Sequence, residues 1–333
     1  MDELELIRSF RAGVPSPSAG AVGRADRAWR RERPGRRRRT PRLLAAGGLA
    51  AAAIAAAVVL PGDDDGRLGA ADAAAAQTLR RAADAQSSGL PRPLRAGEFW
   101  YFRMRTDTLI GGDESGYTAI QPQVREEWVA ADGTRRVHIR PDGPLRFPGP
   151  RDGARWQAEG SPQISTTGPE DYRSGAPRRG PFYLGNAPMT YSELLALPND
   201  AEELYARLRA AAVECECGHA VDDQTFEIVA DSLHTLPLPD DLRAALLRAA
   251  ALIPGIELVP RERDAAGRLG VAVASDYAHR RDALVFDSDT HELLGETTRQ
   301  LARDEFADGS PGQLLGATAY MDAGIVTSRT QRP

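Results

Sequence analysis

Cys215, Cys217 and His219, in the run VECECGH, come nearest in type and spacing to a chemical site, and they include the only two cysteines of the chain. Structural zinc wants four ligands, usually from cysteines two to four residues apart, and no second cysteine pair exists to complete such a set. Two neighbouring thiols outside the cytoplasm more readily oxidise. Three readings stay open, in this order: a bridge between Cys215 and Cys217, free or intermolecular thiols, and a pair of metal ligands.

The remaining candidates are weaker. Gly111 to Glu114 reads GGDE, similar to the signature of diguanylate cyclases, but Gly-Gly and acids between two strand-like runs are more simply a loop. DSDTHE, residues 287–292, alternates Asp but lacks the glycine and distal Glu of a calcium loop, so a hairpin turn is the better account. The histidines at 138, 219, 234, 279 and 291 share no motif with a nucleophile, and no G-x-S-x-G run occurs. Every basic residue is Arg, which removes Schiff-base lysines, the Ser-x-x-Lys dyad and the P-loop lysine together. The expectation is a protein that is not an enzyme and needs no cofactor or metal.

Aromatic residues offer a binding reading instead. Phe99, Trp100, Tyr101 and Trp128 fall in two strand-like runs, and core packing is their ordinary role. The lining of an apolar groove for an apolar ligand is the sharper one.

Charge fixes where these residues sit. Residues 1–42 carry twelve Arg against five acids, a net of +7. Leu43 to Leu60 is uncharged, with nine Ala and seven larger aliphatics, and residues 61–333 carry a net of −12. Eighteen helical residues span about 27 Å, close to the roughly 30 Å hydrocarbon core. With Arg36–Arg39 on one flank and Asp63–Asp65 on the other, the positive-inside rule predicts a cytoplasmic N-terminus and an exported large part. A cleaved signal peptide competes, but a 42-residue leading region fits it poorly. Membrane lipids are therefore expected partners, with a cytoplasmic regulatory partner for the N-terminal tail. The acidic exported part argues against nucleic acid.

The elements that must position all this follow from periodicity. AADAAAAQTLRRAADAQ predicts a helix, as do LPNDAEELYARLRAAA, with Asn199 or Asp200 as N-cap, and LPDDLRAALLRAAALIPG, with Leu242, Leu246, Ala249 and Ile253 on one face. Strand patterns fill 97–140, with Asp132-Gly133 as a hairpin turn, and 256–322. Residues 141–189, rich in Pro, Gly and Arg, read as a long irregular excursion. The predicted fold is α+β: a curved, half-barrel-like antiparallel sheet with helices on one face, preceded by one transmembrane helix. The parts are a cytoplasmic tail (1–42), the anchor (43–60), a spacer and helix (61–96) and the outer domain (97–333).

MDELELIRSFRAGVPSP, the Arg run, the Ala-rich anchor, YLGNAPMTYSELLALPNDAEELYARLR and LVFDSDTHELLGETTRQL together resemble an uncharacterised actinobacterial family of single-pass membrane proteins. The strand-rich part is similar, in element order alone, to the half-barrels of lipoprotein carriers and envelope-stress sensors. These resemblances imply a membrane-tethered binding or sensing protein. A lipid or lipoprotein carrier with an apolar trough is the alternative, and a secreted hydrolase the third.

Overall fold

A computed structural model describes residues 64–85, 91–112, 117–148, 150–162, 170–175, 180–215, 220–277, 279–302 and 311–333. The described residues all fall in one compact unit, 61–333. The Arg-rich tail and the expected anchor at 43–60 lie outside the described residues. Among those residues no helix is long and apolar enough to cross a membrane.

The order of elements is α1 (Asp64–Asp84), β1 (Phe99–Gly112), β2 (Tyr117–Ala130), β3 (Arg135–Pro141), α2 (Pro150–Ala158), β4 (Glu170–Ser174), β5 (Phe182–Leu184), β6 (Ala187–Met189), α3 (Tyr191–Leu195), α4 (Ala201–Glu214), α5 (Val221–Thr235), α6 (Asp240–Ala250), β7 (Glu257–Arg263), β8 (Leu269–Tyr277), β9 (Arg280–Phe286), β10 (Leu293–Gln300) and β11 (Leu314–Val326). Nine strands form one antiparallel sheet in the order β4-β3-β2-β1-β11-β10-β9-β8-β7, and β5 and β6 form a separate hairpin. Pairing of the first strand with the last, Phe99 opposite Val326, joins the two strand blocks through the centre of the sheet.

The sheet is curved. Arg299 on β10 pairs at 2.7 Å with Glu262 on β7, although β8 and β9 lie between them. In a flat sheet three strand spacings amount to about 14 Å, beyond the reach of that pair. The far end therefore coils. Small residues on the face away from the helices (Ala272, Ala274, Ala283) let it do so.

The other face carries the helices. Trp100, Phe102, Met104, Val129, Val273, Leu284, Phe286 and Leu293 share one core with Leu204 and Leu208 of α4, Phe226 and Leu233 of α5, and Leu242, Leu246 and Ala249 of α6. Helix α1 adds Ala75, Leu79 and Ala82 to the same core. Leu242 and Leu246 are buried in this core as their spacing predicts, and Ile253 joins it from beyond the end of α6, each at most 3% exposed. Asp200 is the N-cap of α4, its carboxylate accepting from the backbone N–H of Glu202 and Glu203.

Two expectations are corrected. The segment 141–189 is not one irregular excursion: it holds α2, the hairpin β5–β6, and β4, which pairs with β3 at the sheet edge. β4 reads EDYRS, and charges suit a solvent-facing edge while hiding the strand from an apolar pattern. Helix α5 is also additional. Its Thr225, Ile228 and Val229 are weak helix formers, and burial in the core overrides that propensity.

Candidate functional site

The strand-like runs alternate, so neighbouring aromatics leave on opposite sides. Trp100 enters the helix-covered core, whereas Phe99, Tyr101 and Trp128 form a cluster with Val326 on the other face. The four residues of the expected apolar groove therefore do not share one wall. Tyr101 and Trp128 stand directly opposite in register, with ring centroids 5.2 Å apart. The C-terminal segment straps this cluster down. Trp128 Nε1 donates to the carbonyl of Gln331 at 2.7 Å, the Arg329 guanidinium lies 5.0 Å from the centre of the Phe99 ring, and Arg332 makes two hydrogen bonds to Glu126. Tyr101 Oη donates to the same carboxylate at 2.8 Å. The Arg332 guanidinium and the Tyr101 hydroxyl hold Glu126 down at about 2 against the cost of burial.

The motif residues separate as well. Cys215 caps the end of α4 and is disulfide-bonded. Cys217 and His219 lie outside the described residues. Gly111 and Gly112 end β1 opposite Thr118 and Tyr117, and Asp113 and Glu114 lie outside the described residues. In DSDTHE, Asp287 Oδ1 accepts the backbone N–H of Asp289 and Thr290, the side-chain hydrogen bonds of a turn between β9 and β10.

The residues that do converge lie where two bulges meet. The β1–β11 register shifts between Arg103 and Met104, and the β9–β10 register shifts between Leu293 and Gly295. Gly295 is required there, since a Cβ would sit 2.0 Å from the Thr318 carbonyl oxygen. Pairing of β10 with β11 begins only at Gly295 opposite Ala319, and beyond that point the strands splay. Arg268 bridges the opening, donating to the carbonyls of Leu294 at 2.7 Å and Tyr320 at 2.8 Å.

A cleft of about 640 Å³ occupies this opening. Trp100, Phe102, Leu233 and Leu293 give it apolar walls, and Arg103, Arg243, Arg268 and Arg332 also line it. At its inner edge a polar cluster joins helix to sheet. His234 of α5 lies edge-on to the Tyr320 ring at 5.5 Å, with Nδ1 3.7 Å from Glu296 Oε1, and the Tyr320 hydroxyl donates to the same oxygen. Burial opposes charge on His234, but Glu296, helped by Asp231, outweighs it and raises the imidazole above its ordinary value. Burial, followed by the charge of Glu296, drives the Tyr320 hydroxyl far upward.

On the far side of Glu296 lies a second cavity of about 240 Å³, with Glu227, Asp231, Asp282 and Glu296 set against Arg280 alone. The Asp231 side chain still reaches solvent at the mouth of this cavity. Removal from bulk water, reinforced by Glu296 and Glu227, pushes its carboxyl up to about 6. Thr106, Thr108, Thr298 and Thr318 continue the polar lining into a third cavity of about 170 Å³, again touching Glu296. Glu296 is thus the hinge of the whole arrangement.

No family model and no curated protein matches the chain.

Sequence reasoning missed this cluster, although a signal existed. Glu227, Asp231 and His234 recur at i, i+4 and i+7, one face of a helix, and Asp282 and Glu296 interrupt the apolar alternation of their strands. Nothing in sequence order shows that these two irregularities meet.

Proposed function

We propose that this chain is a membrane-tethered, extracytoplasmic binding or sensing protein that acts without catalysis. The supporting observation is how the helix-covered face is filled. Leucines of α4 and α6 share one buried core with Leu284, Phe286 and Leu293. Charged groups and threonine hydroxyls line the two smaller cavities described above, and the cleft between β10 and β11 sets arginines among its apolar walls. Such walls suit a polar or charged ligand far better than an acyl chain, because each uncompensated charge against hydrocarbon is costly. His234, Glu296 and Tyr320 satisfy one another, which favours a structural and ligand-responsive role over nucleophilic catalysis. Tethering rests on the uncharged run at 43–60 and the +7 and −12 charge split about it.

Two measurements test this reading. Protease added to wall-stripped cells should digest the large domain and spare a tag at the N-terminus. Solvent extraction of the purified full chain should release no stoichiometric lipid. A protected large domain would overturn the topology, and one bound acyl lipid per chain would favour the carrier.

A further inference from the structure

We infer that the free edge of β11, from Met321 to Val326, takes an extended, uncharged stretch of peptide that adds to the sheet as a further strand. This deepens the binding reading above and rests on it. On one side β11 pairs with β1 as far as Val326, but on the other its pairing with β10 stops at Ala319. Among the described residues no other backbone group bonds to the run beyond that point. In an antiparallel strand alternate residues turn their N–H and C=O to opposite sides, so part of this run aims its obligatory hydrogen-bonding groups away from β1. At about 3.3 Å per residue the run offers roughly 17 Å of edge, the length of an ordinary strand.

The surroundings set the chemistry. Arg268 closes the inner end, where its Nη2 donates to the carbonyls of Leu294 and Tyr320 in place of a neighbouring strand. Beyond it Met321, Asp322 and Ala323 are exposed. The charges beside the edge are already matched: Arg103 pairs with Asp322, Arg268 with Asp264 and Arg332 with Glu126. What the cleft leaves unmet is backbone hydrogen bonding, and a neutral extended chain supplies that without breaking an ion pair. Trp100, Phe102 and Leu293 offer an apolar wall for its alternate side chains. The two outer edges of the sheet are blunted against such pairing. β4 reads EDYRS, and β7 carries Pro260 among charged residues, whereas the β11 run MDAGIV holds a single charge that is paired. A second copy of the domain fits worse. Leu293, Leu294 and Pro333 wall the edge into a cleft of about 640 Å³, which admits a few residues of one chain rather than the edge of another sheet.

The test joins calorimetric titration to residue-resolved hydrogen exchange on the full chain in a neutral maltoside. The probe is acetyl-Thr-Val-Thr-Val-Thr-amide. Its control is the same peptide N-methylated at every residue, which keeps the side chains but has no N–H to donate. Saturable one-site binding of the probe is expected, with at least tenfold weaker binding of the control. In the free chain alternate amides between Met321 and Val326 should exchange quickly, and saturating probe should slow them at least tenfold while leaving β4 and β7 unchanged. Ala323→Pro removes a donor from the run and should abolish binding. If that variant does not fold, the methylated peptide and the exchange pattern decide the matter. Equal binding of the methylated peptide, protection of β4 or β7 in place of β11, or full binding by folded Ala323→Pro would overturn the proposal. Slow exchange of the run without probe would overturn it too. A dependence of that protection on protein concentration would then assign the edge to a second copy, and independence would assign it to the chain's own residues. None of these outcomes touches the topology or lipid-extraction tests, so the two readings fail separately.

Discussion

His234 Nδ1 lies 3.7 Å from Glu296 Oε1, and this pair ties helix α5 to strand β10 at the rim of the cleft between β10 and β11. The imidazole is raised above its ordinary 6.5, chiefly by Glu296 working against burial. The stability it contributes is therefore fully present below pH 6.5 and lost as pH rises through the higher folded value. Asp231 acts in the same sense. Its carboxyl, raised from 3.8 to about 6, adds a cost that accrues as pH rises through that interval. The midpoint of thermal unfolding should fall between pH 6 and 8. Glu296→Gln should flatten that slope and cost on the order of 1–3 kcal/mol at pH 6. An unchanged slope in the variant would remove Glu296 as the cause.

The C-terminal strap predicts the opposite dependence in acid. Glu126, held at about 2, contributes stability that is present above its ordinary 4.5 and lost as pH falls from there toward 2. Arg332→Ala leaves that buried carboxylate with Tyr101 as its remaining hydrogen-bond partner, and should cost on the order of 1–3 kcal/mol near neutral pH. Removing residues 327–333 should in addition shift tryptophan emission to the red, since Trp128, now 1% exposed, would meet water. Emission that stays unshifted would show that the segment does not shield the ring.

Leu246 is fully buried in the core between α6 and the sheet. Leu246→Ala should cost about 2–5 kcal/mol, and Leu246→Asp should abolish cooperative unfolding by placing a charge where nothing can pair with it. Chemical denaturation followed by circular dichroism measures both. A Leu246→Asp chain as stable as the parent would disprove this packing.

Replacing Cys215 and Cys217 with Ser should lower the thermal midpoint by only a few degrees. The stabilisation from a bridge grows with the length of chain it closes, and one intervening residue is the shortest useful loop. Loss of folding would show a larger structural role, as would stoichiometric zinc in the reduced protein.

The sequence by itself determined the elements with clean periods. Leu242 and Leu246 are buried on α6 as the helical pattern predicts, whereas Ile253 reaches the core from just beyond the end of that helix. Within the runs at 97–140 and 256–322 the described residues form β1 to β3 and β7 to β11, where alternation matches the strand period. The turn at Asp132-Gly133 was equally legible, with Gly133 at φ +79 and Asp132 Oδ1 accepting from Thr134. Local chemistry suffices in each case. Tertiary structure alone decided which elements became neighbours. Pairing of β1 with β11 puts residues more than 200 positions apart in one register, as with Arg103 and Asp322. The site depends on that pairing, because His234, Glu296 and Tyr320 come from three separate elements and meet only where two bulges splay β10 from β11. A bulge is set by close backbone approach, as at Gly295, and depends on a partner strand that one-dimensional periodicity does not contain. For the same reason Trp100 and Tyr101, adjacent in sequence, belong to different faces of the sheet and to different interactions.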